Sequence, residues 1–176
     1  MSIVRIPPLW MPDVLPRRII LHWTAGTYQA TAHDRASYHV MIEGSGRHVR
    51  GVDIRHNCPL DRGRYAAHTL NANGGAIGVA ACCMAGAVQA PFNAGKYPLT
   101  KKQWNALIIA GADLCRRYLI PVTPQTVLGH GEVERVLGIK QLGKWEFMLP
   151  WAPTLTVHEV GDELRRRVAL AIREGV

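Results

Sequence analysis

The sequence predicts a single α/β domain, a mixed central β-sheet flanked by helices, and three observations carry that prediction. Short apolar, β-branched segments recur at 18–23, 38–50 and 76–83. Two longer stretches, 100–118 and 157–173, repeat their apolar residues at helical spacing. The chain has 176 residues, 48% hydrophobic and 19% charged, and a chain of that length buries roughly two thirds of its unfolded surface, enough for one core without disulfides. The composition excludes intrinsic disorder, collagen-like repeats and coiled coil. The longest uncharged apolar run, Gly74 to Val88, is Gly/Ala-rich and shorter than the ~18 residues of a membrane span, so no transmembrane helix is expected.

The elements follow in order. Prolines at 7, 8, 12 and 16 mark residues 1–16 as an irregular extension, with order beginning near Arg17. Arg18-Ile-Ile-Leu-His-Trp23, bounded by Pro16 and Gly26, suits a buried strand that delivers His22 to a sheet edge. Tyr38 to Ile42, the Gly44-Ser-Gly46 turn and His48 to Arg50 read as a hairpin. Ala76 to Cys83 is small and apolar, as a central strand would be. Thr100 caps a helix in which Trp104, Leu107, Ile108, Leu114 and Tyr118 form one face. A main domain over 17–153 is then followed, across Trp151-Ala-Pro153, by a C-terminal amphipathic helix within 154–176, with Val160, Leu164, Val168 and Ile172 four apart and Arg165, Arg166 and Arg167 on its flanks.

Twenty-one Lys and Arg against 13 Asp and Glu leave a charge of +8, which implies an anionic partner such as nucleic acid, a membrane surface or a cell-wall polymer without choosing among them. The N-terminus shows no secretory signal pattern, so synthesis in the cytoplasm is expected. In that compartment Cys58, Cys82, Cys83 and Cys115, with no Cys-x-x-Cys pair, read as reduced structural thiols.

Of eight histidines, two are placed for chemistry. His22 ends a predicted strand, and His130 lies in Leu128-Gly-His-Gly-Glu132 after a short apolar segment. Two imidazoles from strand or loop ends can face one pocket, and a zinc site needs a third protein ligand from elsewhere. His33, His48, His56 and His158 read as structural, and His39 as a core residue or one that supports the site from behind.

An ordered set of segments resembles the zinc-dependent N-acetylmuramoyl-L-alanine amidases, the fold of phage lysozyme-type amidases and peptidoglycan recognition proteins. It comprises Ile19 to Gly26, Ser37-Tyr-His-Val40, Ala67-His68, Ala76-Ile-Gly-Val79, Leu99 to Gln103, Gly129-His-Gly-Glu-Val133 and Lys144-Trp-Glu146, together spanning 17–153. The resemblance implies that His22 and His130 are imidazole ligands of one zinc ion. It places the third ligand at Glu146, where the family has Asp or Cys followed by Pro-Gly and this chain has Phe147-Met148. Glu132 and Glu134 are the alternatives. An insertion around Gly138 to Gly143 is expected from the spacing of 16 positions from His130 to Glu146 (146 − 130).

The implied reaction is hydrolysis of the amide between N-acetylmuramic acid and L-alanine in peptidoglycan, with Tyr38 and Lys144 at the family positions that stabilise the oxyanion. Ala80 stands where another branch of the family has a catalytic Glu, so this chain resembles the Tyr-plus-Lys branch. His68, Trp23 and Thr24 match substrate-side positions. The resemblance further implies a monomeric endolysin of a phage or prophage, released from the cytoplasm to lyse the wall. Its partner is peptidoglycan, not nucleic acid, and its C-terminal helix is a candidate contact for anionic envelope lipid. A muropeptide-recycling enzyme and a non-catalytic binding module are the competing readings. A zinc deaminase is disfavoured because the Cys-x-x-Cys that should follow His130-Gly-Glu132 is missing.

Overall fold

A computed structural model describes residues 4–176. Met1, Ser2 and Ile3, part of the expected extension, lie outside the described residues. Five strands form one sheet, β1 (Arg18–Trp23), β2 (Val40–Ile42), β3 (His48–Arg50), β4 (Ala76–Ala81) and β5 (Val127–Gly129), in the order β3-β2-β4-β1-β5. Only the β2–β3 pairing is antiparallel, so the sheet is mixed. The helices are α1 (Ala32–Ser37), α2 (Lys101–Tyr118), α3 (Val133–Leu137) and α4 (Val157–Glu174). Among the described residues no helix is long and apolar enough to cross a membrane.

Strand alternation places the site. Ile19, Leu21 and Trp23 of β1 and Ile77, Val79 and Ala81 of β4 share one core with Trp104, Leu107 and Leu114 of α2 and Val160, Leu164 and Val168 of α4. With a side-chain period of two, the intervening residues must face the other way. Ile20 accordingly packs with Leu128 and Val133, and Ala80 with Met41. His22, opposite Ala80 in the β1–β4 register, belongs to that second face. On it Gly78 gives way to a side chain from a loop, since a Cβ there would lie 2.5 Å from Cγ of His68.

Both long helices begin with reciprocal capping boxes, Thr100 with Gln103 and Thr156 with Glu159, which satisfy two otherwise orphaned N–H groups at each end. The sheet starts later and ends earlier than the sequence pattern suggests. Tyr38 caps α1 rather than opening a hairpin, because Thr31 and Asp34 form a third capping box that winds residues 32–37 into a helix. Beyond Ala81 the chain turns at Met84, whose φ of 70° a strand cannot hold. The N-terminal segment is irregular apart from a 3-10 turn at Pro8–Trp10, yet it is anchored before Arg17. Ile6 is 2% exposed, its N–H donates to Asp113 of α2, and Arg5 pairs with the same carboxylate at 2.6 Å.

Candidate functional site

Three ligand atoms, one each from His22, His130 and Glu146, lie within 4.8 Å of one another, and all three residues are buried. Parallel pairing of β1 with β5 sets Leu21 against Gly129, so His22 and His130, each one residue further along, emerge side by side at the carboxyl ends of neighbouring strands. Their Nδ1 atoms are 3.0 Å apart. Glu146 arrives on the long loop after α3, and its Oε1 is 3.4 Å from His130 Nδ1. That loop is fixed from two sides. The Gly131 N–H donates to the Glu146 carbonyl at 2.5 Å, an approach that Gly131 permits, because a Cβ there would sit 2.8 Å from the same oxygen. On the other side Trp145 and Phe147 pack edge-on against Trp23, at 4.9 and 5.5 Å between ring centroids.

The hydrogen bonds assign the tautomer of His130. Gln141 Nε2 donates to the carbonyls of Leu70 and Ile139, which fixes its amide and turns Oε1 toward His130 Nε2 at 2.8 Å. His130 Nε2 therefore carries the proton and Nδ1 a lone pair. On the far side of His22, Nε2 lies 3.1 Å from Nδ1 of His68. Burial, with His130, His68, Lys144 and His39 nearby, pushes the His22 pKa well below its ordinary value and keeps the ring neutral. Two imidazoles with inward Nδ1 atoms and one carboxylate form a nitrogen, nitrogen, oxygen donor set that suits zinc, with partners on the outer nitrogens to hold each ring.

The remaining predicted residues fall into two groups. Tyr38 is mostly buried, its ring 5.2 Å from that of His22. Burial, with Glu146, Asp34 and Cys82 in the vicinity, raises its pKa, so the phenol keeps its proton as a donor must. Lys144 is exposed on the same loop as Glu146, close enough for its charge to bear on His22. His68, expected on the substrate side, is 6% exposed and lies behind His22, with Nδ1 2.8 Å from Thr69 Oγ1. Trp23, also expected to meet substrate, is 5% exposed in the core beneath the Glu146 loop. Thr24 sits just past β1, where its N–H donates to Ala81 and its Oγ1 accepts from Gly26.

The two alternative acids are occupied elsewhere. Glu132 takes a bidentate bond from Arg165, and Glu134 accepts from the Gln141 N–H. Gln141 itself, which holds His130, was not among the predicted residues. It carries no signal in a loop whose course depends on tertiary contacts.

The fold is a mixed α/β sheet with a buried set of possible metal donors at its strand ends. The chain belongs to the N-acetylmuramoyl-L-alanine amidase family, whose model matches residues 12–141. Among solved structures it is similar to an endolysin N-acetylmuramoyl-L-alanine amidase, LysCS from Clostridium intestinale, with a TM-score of 0.50 and 16% identity over 96% of this chain and 95% of that one. No curated protein matches the sequence. The chain is thus an amidase that hydrolyses the bond between N-acetylmuramic acid and L-alanine in peptidoglycan. Lys144, Glu146 and α4 lie beyond the residues that the family model matches.

Proposed function

We propose that this amidase works with one zinc ion held by Nδ1 of His22, Nδ1 of His130 and a carboxylate oxygen of Glu146. The observation that carries the proposal is the convergence of those three atoms within 4.8 Å in a buried pocket. Bound there, zinc would supply the acidified water and the Lewis acid that hydrolysis of an unactivated amide needs. The chain's own part is orientation and charge. His68 and Gln141 hold the outer imidazole nitrogens, Tyr38 offers a protonated phenol, and Lys144 brings a mobile cation to the rim. Both of the latter would serve the negative charge that develops on the scissile carbonyl oxygen. Position favours His68 and Trp23 as supports of the site over direct contact with the sugar or peptide.

The biological reading is a monomeric endolysin, made in the cytoplasm and acting on wall polymer after release, with no nucleic-acid partner. A contact of α4 with envelope lipid would fall to Arg166 and Arg167, since Arg165 is turned inward; both now pair with Glu163 on the same helix. Killing of intact cells unchanged in an Arg166→Gln, Arg167→Gln variant would remove the lipid contact.

The test of the whole is hydrolysis of purified peptidoglycan with chelator and with zinc restored, scored as new L-alanine amino termini against new reducing ends. Amino termini that vanish with chelator and return with zinc are the expected result. Hydrolysis indifferent to chelation would end the metal reading.

A further inference from the structure

The C-terminal helix reaches into the frame of the site through one buried ion pair. Glu132 is 1% exposed and Arg165 of α4 8% exposed. Arg165 Nη1 donates to Glu132 Oε2 at 3.1 Å and to the Val127 carbonyl at 3.0 Å, and Nη2 donates to Glu132 Oε1 at 2.9 Å and to Asp162 Oδ1 at 2.7 Å. Glu132 Oε2 also accepts from the Gly129 N–H at 2.8 Å. The guanidinium and the carboxylate thus clasp β5 and the turn after it on both sides of His130. The helix backbone meets the pair at Gly161, where a Cβ would lie 2.1 Å from Glu132 Oε1. Glycine inside a helix costs about 1 kcal/mol relative to alanine, so its presence here marks a contact that the packing requires.

We infer that Glu132 and Arg165 are positioning residues for His130, and that α4 is a working part of the amidase site. Resting on the zinc reading above, the inference concerns how well the His130 Nδ1 lone pair is aimed. A buried ion pair is poor evidence of stability, because two apolar residues of similar volume often hold a fold as well. What apolar residues cannot do is accept the Gly129 N–H or fork onto the Val127 carbonyl. The pair therefore fits an orienting role better than a stabilising one.

The experiment measures zinc affinity by chelator competition in the full chain. Glu132→Gln and Arg165→Met are each expected to weaken zinc binding by about 10- to 100-fold, the usual effect of removing a group that orients a ligand. Each strands one buried partner, so the deciding variant is Glu132→Met with Arg165→Met, which removes both charges and is expected to keep the fold, checked by its circular dichroism. It should still bind zinc at least tenfold more weakly. Val168→Ala, a cavity on the α2-facing side of α4, should cost stability while leaving affinity within about threefold. Parent-like affinity in the double variant, or an equal loss in Val168→Ala, would overturn the inference. A second arm needs no metal: the His130 Nε2–H resonance, sheltered by Gln141, should be sharp in the metal-free parent and broadened in the double variant. If the parent binds no zinc, the metal reading alone fails and this resonance decides, an unchanged signal rejecting the role of α4.

Discussion

His22 and His130 leave adjacent parallel strands, whereas Glu146 and Lys144 hang from a loop, and the two halves of the site are held by different physics. The strand half is fixed by ladder register: once Leu21 pairs with Gly129, the next residues must be neighbours. The loop half has no ladder. It is placed by one backbone hydrogen bond from Gly131 and by the packing of Trp145 and Phe147 on Trp23. A register-held ligand tolerates little movement, while a loop-held one can adjust to the metal or substrate it meets.

Ligand deletion gives the largest effect and the sharpest contrast. On the proposed zinc reading, His22→Ala and His130→Ala should lose zinc and turnover together, since each removes one of the three proposed donors. Glu146→Ala should also lose tight zinc, but Glu146→Asp should recover part of it, because the loop can move to follow the shorter side chain. Metal analysis beside the peptidoglycan assay reads both. Full zinc occupancy in Glu146→Ala would recast Glu146 as a base and leave the strand half to hold the metal with some other donor.

The next effect falls on rate alone. Tyr38→Phe and Lys144→Ala should keep zinc and lose about 10²-fold or more in kcat, the scale of removing one oxyanion donor. Normal turnover in either variant would defeat its assignment. Exposed Lys144 should be the more tolerant, with Lys144→Arg retaining measurable activity.

The sheet that carries the strand half also carries a pH liability, at His39. Burial lowers the His39 pKa from 6.5 to about 4, while its Nδ1 accepts the Gly78 N–H. In the unfolded chain the ring takes up a proton near pH 6.5, but in the folded chain only near 4. Stability from this residue is therefore complete above pH 6.5 and falls by about 3 kcal/mol as the pH drops to 4, at 1.36 kcal/mol per unit. Urea unfolding of the metal-free protein between pH 7 and 4 should show the decline, to which buried His22 and His68 add with the same sign, and His39→Asn, whose side-chain oxygen can take over the Gly78 bond, should make it shallower. Parallel curves for the two proteins would place the acid sensitivity elsewhere.

The same contrast explains what could be read from the sequence. Strand boundaries at Arg18 and Trp23 and the two long capped helices were legible, because period and cap residues are local signals. So was the pairing of His22 with His130, through their places at strand ends. The helix α1 was missed although Thr31 and Asp34 spell its capping box, since only six residues follow and Tyr38-His-Val-Met-Ile42 suggested a strand. The surroundings of the loop half were not legible. The burial of Trp23 beneath the loop and the grip of Gln141 on His130 depend on left-handed residues at Gly138, Leu142 and Gly143 and on contacts between distant segments.

Gln141 tests whether the halves are independent, and its effect should be the smallest. It belongs to the loop by sequence, yet its Oε1 accepts from a strand-half ligand, and its amide ties the loop to Leu70. Gln141→Ala leaves the His130 N–H without its acceptor but keeps the β1–β5 register, so zinc affinity should fall only about tenfold, the lower end for a group that orients a ligand. Gln141→Glu keeps an acceptor for His130 but sets an oxygen against the Leu70 and Ile139 carbonyls, so it should recover the affinity only in part. If Gln141→Ala instead loses zinc as completely as His130→Ala, the register alone does not hold the imidazole. The loop would then be the frame of both halves, and the distinction between a rigid and an adjustable side of the site would collapse.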